Sequence, residues 1–325
     1  MIIHGCSVLS GGAFIYEIMA AAYEKDRREI IMRKSCKLFT LCLAAFMALA
    51  LFAGCGDEPA KGSGTSSAAV DKSGLPKDVQ AVVDRGVLRV GVKNVTKGFG
   101  YQDPATGEFS GMEVDLANKL AEHLGVKAEF TPVTAATRTA LLDSGDIDCV
   151  LATFTITDER KKSWDFTTPY YTDHVGVLVQ NSSGIKTLAD LKGKTVGVSS
   201  GSTSAKALVE AMVKAGVIPA EGYDAKTFDP ATWTTGVKFK QYDDYPAIST
   251  ALSAGEVDAF CVDKSILAIY NTGDRSYIKE EFAPQNYGIA TKKGSGFSKV
   301  CDDLVQGWLQ DNTIKTLIQK NGLDK

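Results

Sequence analysis

The sequence predicts an α/β protein built from two strand–helix units, the second inserted into the first. Three observations predict it. Apolar strand-like runs alternate with helical patterns from Val87 to Phe154, and the alternation restarts from Leu188 to Tyr270. Two extended stretches, His174 to Gln180 and Phe282 to Thr291, sit where the chain would cross between the units. The residues at the expected strand ends, Lys93, Thr155, Ser199 to Thr203 and Asp263, are nearly all polar and come from both units. Ligands in open α/β sheets bind outside the carboxyl ends of strands.

Each element has a local reason. Val87 to Val92 is apolar enough for a buried strand. Gly98 to Gly111 holds Asp-Pro and Thr-Gly pairs that suit a hairpin. Met112 to Leu124 places Leu116, Leu120 and Leu124 on one helical face. Ala128 to Val133 reads as a strand, Arg138 to Asp143 as a short helix closed by Ser144-Gly145, and Ile147 to Phe154 as a buried strand. A short charged helix opens at Asp158. In the second unit, strands are expected at Lys194 to Val198, Val237 to Gln241 and Val257 to Val262. Helices are expected at Leu188 to Leu191, Ser204 to Ala215, Tyr245 to Ala254 and Ser265 to Tyr270. Two helices, Phe297 to Gln310 and Thr313 to Lys320, close the chain. Pro219 to Thr235, carrying Trp233, fits no element and reads as a loop insertion.

Ahead of these units lies a targeting pattern. Arg33, Lys34 and Lys37 precede an apolar run from Leu38 to Phe52, followed by Ala53-Gly54-Cys55. Small residues before a cysteine match a bacterial lipoprotein signal, in which the cysteine is acylated. The apolar run is short for a membrane span of about 20 residues. The expected organisation is therefore a signal peptide over 32–54, lipidation at Cys55 and a flexible Gly/Ser-rich tether over 55–80. Residues 1–31 make little sense before a signal peptide. Arg27-Arg28-Glu29 can be encoded by a purine-rich run resembling a ribosome-binding site, so a start at Met32 is expected.

Without residues 1–54, 271 residues remain, enough for two domains. The chain is 44% hydrophobic with a formal net charge of −3, which excludes disorder and gives no basic excess for nucleic acid. Cys149, Cys261 and Cys301 remain as an odd set in apolar surroundings and read as buried thiols. No histidine or cysteine spacing suggests a metal, no nucleophile–base pair suggests an enzyme, and no cofactor is expected.

The binding chemistry concentrates at Ala152 to Arg160, where Thr153, Thr155 and Thr157 precede a guanidinium. Hydroxyls, backbone N–H groups and an arginine at one strand end suit a small carboxylate. Plainer readings stand beside this one. Arg160 can cap the charged run on a solvated face, and Asp263 or Thr203 can be an ordinary helix N-cap. Arg138 and Lys93 can be surface cations.

From about Val87 onward the chain resembles the periplasmic solute-binding proteins of polar amino-acid ABC transporters, solute-binding family 3. The matching pieces are Gly86-Val-Leu-Arg-Val-Gly91, Gly111-Met-Glu-Val-Asp-Leu-Ala117, Leu141-Leu-Asp-Ser-Gly-Asp-Ile-Asp148, Thr155-Ile-Thr-Asp-Glu-Arg160 and Pro169-Tyr-Tyr171. Val92-Lys93, Thr137-Arg138, Val262 to Leu267 and Ala283 to Gly288 look most like aspartate/glutamate-binding members. The resemblance implies a type II periplasmic-binding-protein fold, two Rossmann-like lobes joined by two hinge strands. Lobe 1 is expected over 81–178 plus 286–325 and lobe 2 over 179–285.

The resemblance also implies roles. Arg160 clamps an α-carboxylate, Thr153 and Thr155 add polar groups, and Ser202 and Thr203 bring N–H groups from the other lobe. Asp263 takes the α-ammonium, and Phe99 packs on the ligand's aliphatic part. Arg138 and Lys93 read a second carboxylate, which points to aspartate or glutamate, with a neutral polar amino acid such as glutamine as the alternative. The expected partners are the amino-acid ligand and ABC permease subunits, for a monomer tethered outside the cytoplasmic membrane. A dehydratase acting on prephenate-like or arogenate-like acids is the enzymatic alternative, and it requires a general acid in the cleft.

Overall fold

The computed structural model describes residues 74–324. The upstream extension, the signal peptide, Cys55 and the tether up to residue 73 lie outside the described residues. Among those described, no helix is long and apolar enough to cross a membrane.

The first lobe opens with helix α1 (Lys77–Arg85), which buries Val79 and Val82. Its start cuts short the tether expected to run to residue 80. Strand β1 (Val87–Val92) leads to a small three-stranded sheet of β2 (Val95–Thr96), β3 (Gly100–Gln102) and β4 (Phe109–Ser110), the expected hairpin. Helix α2 (Met112–His123) presents Leu116 and Leu120 to the core. Strand β5 (Lys127–Pro132), helix α3 (Arg138–Ser144) and strand β6 (Cys149–Leu151) follow. The last is shorter than expected because Thr153 turns to φ 45°, which ends the extended run. Helix α4 (Arg160–Ser163) and strand β7 (Trp164–Phe166) complete the outward pass.

The second lobe starts with β8 (Tyr171–Gln180), then a 3-10 turn at Leu188–Leu191 closed by a capping box on Thr187. Strand β9 (Thr195–Ser199), helix α5 (Ser204–Lys214), strand β10 (Lys238–Tyr242), helix α6 (Tyr245–Ala254), strand β11 (Ala259–Asp263) and helix α7 (Lys264–Leu267) alternate as expected. Strands β12 (Arg275–Tyr277) and β13 (Phe282–Tyr287) return alongside β8. The chain then re-enters the first lobe as β14 (Ala290–Lys292), followed by helices α8 (Gly296–Gln310) and α9 (Thr313–Lys320).

The first sheet has the order β5-β1-β6-β14-β7, and the second β10-β9-β11-β8-β12, with β13 pairing β8. Three neighbouring strands in each sheet run parallel, and β14 and β8 pair antiparallel with them. The period of two sorts side chains to both faces. Cys149 and Leu151 enter one apolar cluster while Val150 and Ala152 enter another. Likewise Ala259 and Cys261 face one cluster, Phe260 and Val262 the other. A buried strand with helices over both faces must be apolar on both sides.

All of β8 lies in the second sheet, so the chain leaves the first sheet between Phe166 and Tyr171, earlier than residue 178. It returns between Tyr287 and Ala290. The two crossing segments pair as an antiparallel ribbon, Tyr171 opposite Tyr287 and Thr172 opposite Asn286. The stretch expected as one extended piece, Phe282 to Thr291, is thus two strands in different sheets. The 219–235 insertion packs on the second lobe through Tyr223, Phe228 and Trp233, whose rings meet edge-on or tilted, and Phe228 meets Phe239 edge-on. Cys149, Cys261 and Cys301 are buried free thiols.

Candidate ligand-binding cleft

Strand ends of both sheets meet at one cleft. From the first lobe come Arg138, Thr153, Thr155 and Arg160; from the second come Ser202, Thr203, Tyr245 and Asp263. Seven of the nine residues expected to bind ligand therefore line a single cavity.

Arg160 does not face solvent with its neighbours. In the charged run, Lys161 pairs with Asp158 and Lys162 with Glu159. Arg160 turns inward instead. Its Nη1 donates to the Thr155 carbonyl at 2.8 Å, and its Nη2 crosses to the Gly201 carbonyl of the other lobe at 3.0 Å. Its guanidinium lies over the Phe154 ring at 4.7 Å. Arg138 stacks on the same ring at 3.8 Å. It is 2% exposed, so it is no surface cation. Its Nη1 donates to the carbonyls of Ala152 (2.8 Å) and Thr153 (3.2 Å), while its buried Nε has no hydrogen-bond partner among the described residues. One aromatic ring thus carries two cations on its negative faces.

Asp263 caps no helix: α7 receives no side-chain cap bond from it. Its Oδ2 instead accepts a short hydrogen bond from the Tyr287 hydroxyl. Burial, and next the charge of Asp173, lift its pKa to about 7. Thr203 likewise makes no cap bond to α5. Its hydroxyl donates to Gln285 Oε1 at 2.7 Å, and the Thr155 hydroxyl donates to the same oxygen at 2.7 Å. Gln285, on hinge strand β13, joins the two threonines of opposite lobes. The Ser202 hydroxyl is buried without a hydrogen-bond partner among the described residues.

Two expected residues lie elsewhere. Phe99 is fully buried and does not line the cleft. Its ring packs edge-on against Tyr171 (5.1 Å) and Tyr287 (5.7 Å), in the core of the first lobe. It therefore braces the tyrosine that holds Asp263, a role set by the ring's apolar burial. Lys93 lies in an adjoining chamber with Asn94, Thr134, Ser199 and Asp243, separated from the cleft by Tyr245. Its ammonium stands 5.2 Å from that ring's centroid. Lys93 is 3% exposed, and burial, then the charge of Arg138, pull its pKa down to about 7. The same two causes bring Arg160 to about 9, and burial brings Arg138 to about 10.

Sequence reasoning assigned no site role to Gln285, Tyr245, Tyr287 or Glu113. Gln285, Tyr287 and Glu113 stood in quoted motifs, and in β13 Gln285 and Tyr287 are the two buried positions of a partly exposed strand.

Comparison with known proteins agrees with this architecture. A glutamine-binding protein of an ABC transporter from Bacillus subtilis (strain 168) is 33% identical over 264 residues, covering 79% of this chain and 86% of the relative. The L-cystine-binding protein of Escherichia coli (strain K12) is 35% identical over 245 residues, covering 74% and 84%. The solved structure of an ancestral arginine-binding protein bound to arginine superposes with TM-score 0.60 at 34% identity, over 73% of this chain and 98% of that one. Residues 88–321 match the profile of one family, and with these relatives they show that the chain belongs to the bacterial extracellular solute-binding proteins, family 3.

Proposed function

We propose that this protein captures an acidic amino acid, aspartate or glutamate, outside the cytoplasmic membrane and hands it to an ABC import permease. The relatives named for glutamine and L-cystine support an amino-acid ligand. One observation carries the acidic reading. Two guanidiniums, Arg160 and Arg138, line the cleft against one carboxylate, Asp263, and Lys93 adjoins it. A zwitterion leaves this group one positive charge in excess. An amino acid with a second carboxylate neutralises it, and uncompensated charge in a low-dielectric site is costly.

In this reading Arg160 and Thr155 hold the α-carboxylate, with Ser202 and Thr203 meeting it from the second lobe. Asp263 takes the α-ammonium. Arg138 faces the side-chain carboxylate, and Lys93 adds its charge past Tyr245. Charge-assisted hydrogen bonds of this kind contribute roughly 1.5–3 kcal/mol each. The ligand joins groups on both lobes, so it favours the closed form, which a permease can distinguish. Lipidation at Cys55 would keep this monomer beside its permease.

Titration calorimetry with L-glutamate, L-aspartate, L-glutamine, L-cystine and L-arginine tests the assignment. The two acids should bind most tightly, and Arg160→Ala should abolish their binding. Glutamine binding as tightly as glutamate would remove the acidic assignment, and retained affinity in Arg160→Ala would remove the α-carboxylate site. A dehydratase reading is favoured by one observation, the buried Asp263 carboxyl titrating near 7. Turnover of prephenate or arogenate would decide for it.

A further inference from the structure

Beneath the cleft floor lies Glu113, the second residue of α2 and fully buried. Its Oε1 accepts the Thr153 N–H at 2.6 Å and the Tyr170 hydroxyl at 2.6 Å. Its Oε2 is buried with no hydrogen-bond partner among the described residues. Burial raises its pKa above the ordinary carboxylate value, and the Tyr170 and Thr153 hydrogen bonds and the charges of Lys93 and Arg138 pull it back down. Thr153 is the residue in the left-handed conformation that ends β6, and its carbonyl is held by Arg138.

Anchoring the Thr153 N–H requires one acceptor oxygen, which a neutral amide also offers. Burying a full carboxylate for that purpose alone carries a large desolvation cost. The charge has a further use only towards Lys93 and Arg138. Arg138 lines the cleft, and Lys93 lies against Tyr245, which also lines it.

We propose that Glu113 is a specificity-determining residue: it fixes Thr153 by hydrogen bonding and offsets part of the positive charge of Arg138 and Lys93, which sets how strongly the cleft favours an acidic over a neutral amino acid. This inference rests on the amino-acid reading of the cleft. Glu113→Gln keeps the shape and one acceptor oxygen but deletes the charge. Arg138 then acts at full strength on a side-chain carboxylate, and the glutamate-to-glutamine affinity ratio rises.

Lys93 is acted on by Arg138, Glu113, Asp263 and Arg160 and packs on Tyr245. With its pKa at about 7, Lys93 is charged at pH 6 and mostly neutral at pH 8.5. Asp263 also titrates near 7, but it serves the α-ammonium common to both ligands and cancels in the ratio.

The experiment is calorimetry of L-glutamate and L-glutamine with wild type, Glu113→Gln and Glu113→Asp, at pH 8.5. The ratio should rise about tenfold in Glu113→Gln, equivalent to about 1.4 kcal/mol, at a pH well above the ordinary carboxylate range because burial raises the Glu113 pKa. It should stay near wild type in Glu113→Asp. An unchanged or lowered ratio in Glu113→Gln overturns the proposal, as does an equal rise in Glu113→Asp. If wild type binds neither ligand, the inference falls together with the reading beneath it.

Discussion

At the scale of the residue, Asp263 sets stability against binding. Its carboxyl is 6% exposed and titrates near 7, against 3.8 for an exposed aspartate. The folded state therefore holds a proton that the unfolded chain has released, so stability falls as pH rises from 3.8 towards 7. Above that window the full cost of burying a carboxylate is present. Asp263→Asn removes this cost while leaving an acceptor for Tyr287. Scanning calorimetry of the ligand-free protein should show a higher Tm for Asp263→Asn at pH 8, a smaller gain at pH 5, and little difference near pH 3.5. Amino-acid binding should be lost throughout. An equal Tm difference at every pH would mean that the carboxyl is not buried as a strained acid.

The same group shapes the pH dependence of wild-type binding. With Asp263 in its proposed role as partner of the ligand ammonium, affinity should fall as pH drops below about 7. A side-chain carboxylate gains from charged Lys93, so affinity for glutamate should also fall above about 7. Glutamate should give a bell-shaped profile and glutamine only the acid limb, as measured by calorimetry across pH 5 to 9.

At the scale of the element, the turn from β9 into α5 decides how closely the lobes approach. Gly201 has φ 73°, and a Cβ there would stand 2.7 Å from the Ala135 carbonyl of the first lobe. Its own carbonyl accepts from Arg160. Gly193 provides a control, with φ 82° and open space around its Cβ position. Both glycine-to-alanine changes place a side chain in the left-handed region, at a cost of roughly 1–2 kcal/mol. Only Gly201→Ala also obstructs closure. It should weaken ligand binding at least about tenfold, whereas Gly193→Ala should lower Tm and leave affinity near wild type.

At the scale of the whole molecule, closure is secured from three directions. Arg160 reaches Gly201 across the cleft, and Thr155 and Thr203 converge on Gln285 at the hinge. Behind the hinge, the Tyr171 hydroxyl meets Ser265 at 2.8 Å and donates to the Leu323 carbonyl at 3.1 Å, tying the end of the described chain to both lobes. Gln285→Ala leaves the two threonine hydroxyls, one from each lobe, without their shared acceptor. It should cost about 1–3 kcal/mol of binding free energy. Small-angle scattering should show a smaller ligand-induced contraction than in wild type at the same ligand concentration.

The alternation of strands and helices, the inserted second unit and the residue types at the strand ends were readable along the chain. These follow from local periodicity and turn chemistry, which neighbouring residues carry. That Arg160 and Asp263 line one cleft was legible for a related reason, Asp263 ending an apolar run and Arg160 following the threonines beyond another. Which polar groups share a partner emerged only in three dimensions. Gln285 accepts from threonines 130 and 82 positions away in the chain, and Glu113 holds an N–H 40 positions away. Phe99 was read as a ligand contact but packs behind Tyr287, because a fully buried ring is placed by the core that forms around it. Hydrogen bonds and buried charges depend on distance in space, and a linear pattern carries no record of that distance until the two sheets are folded against each other.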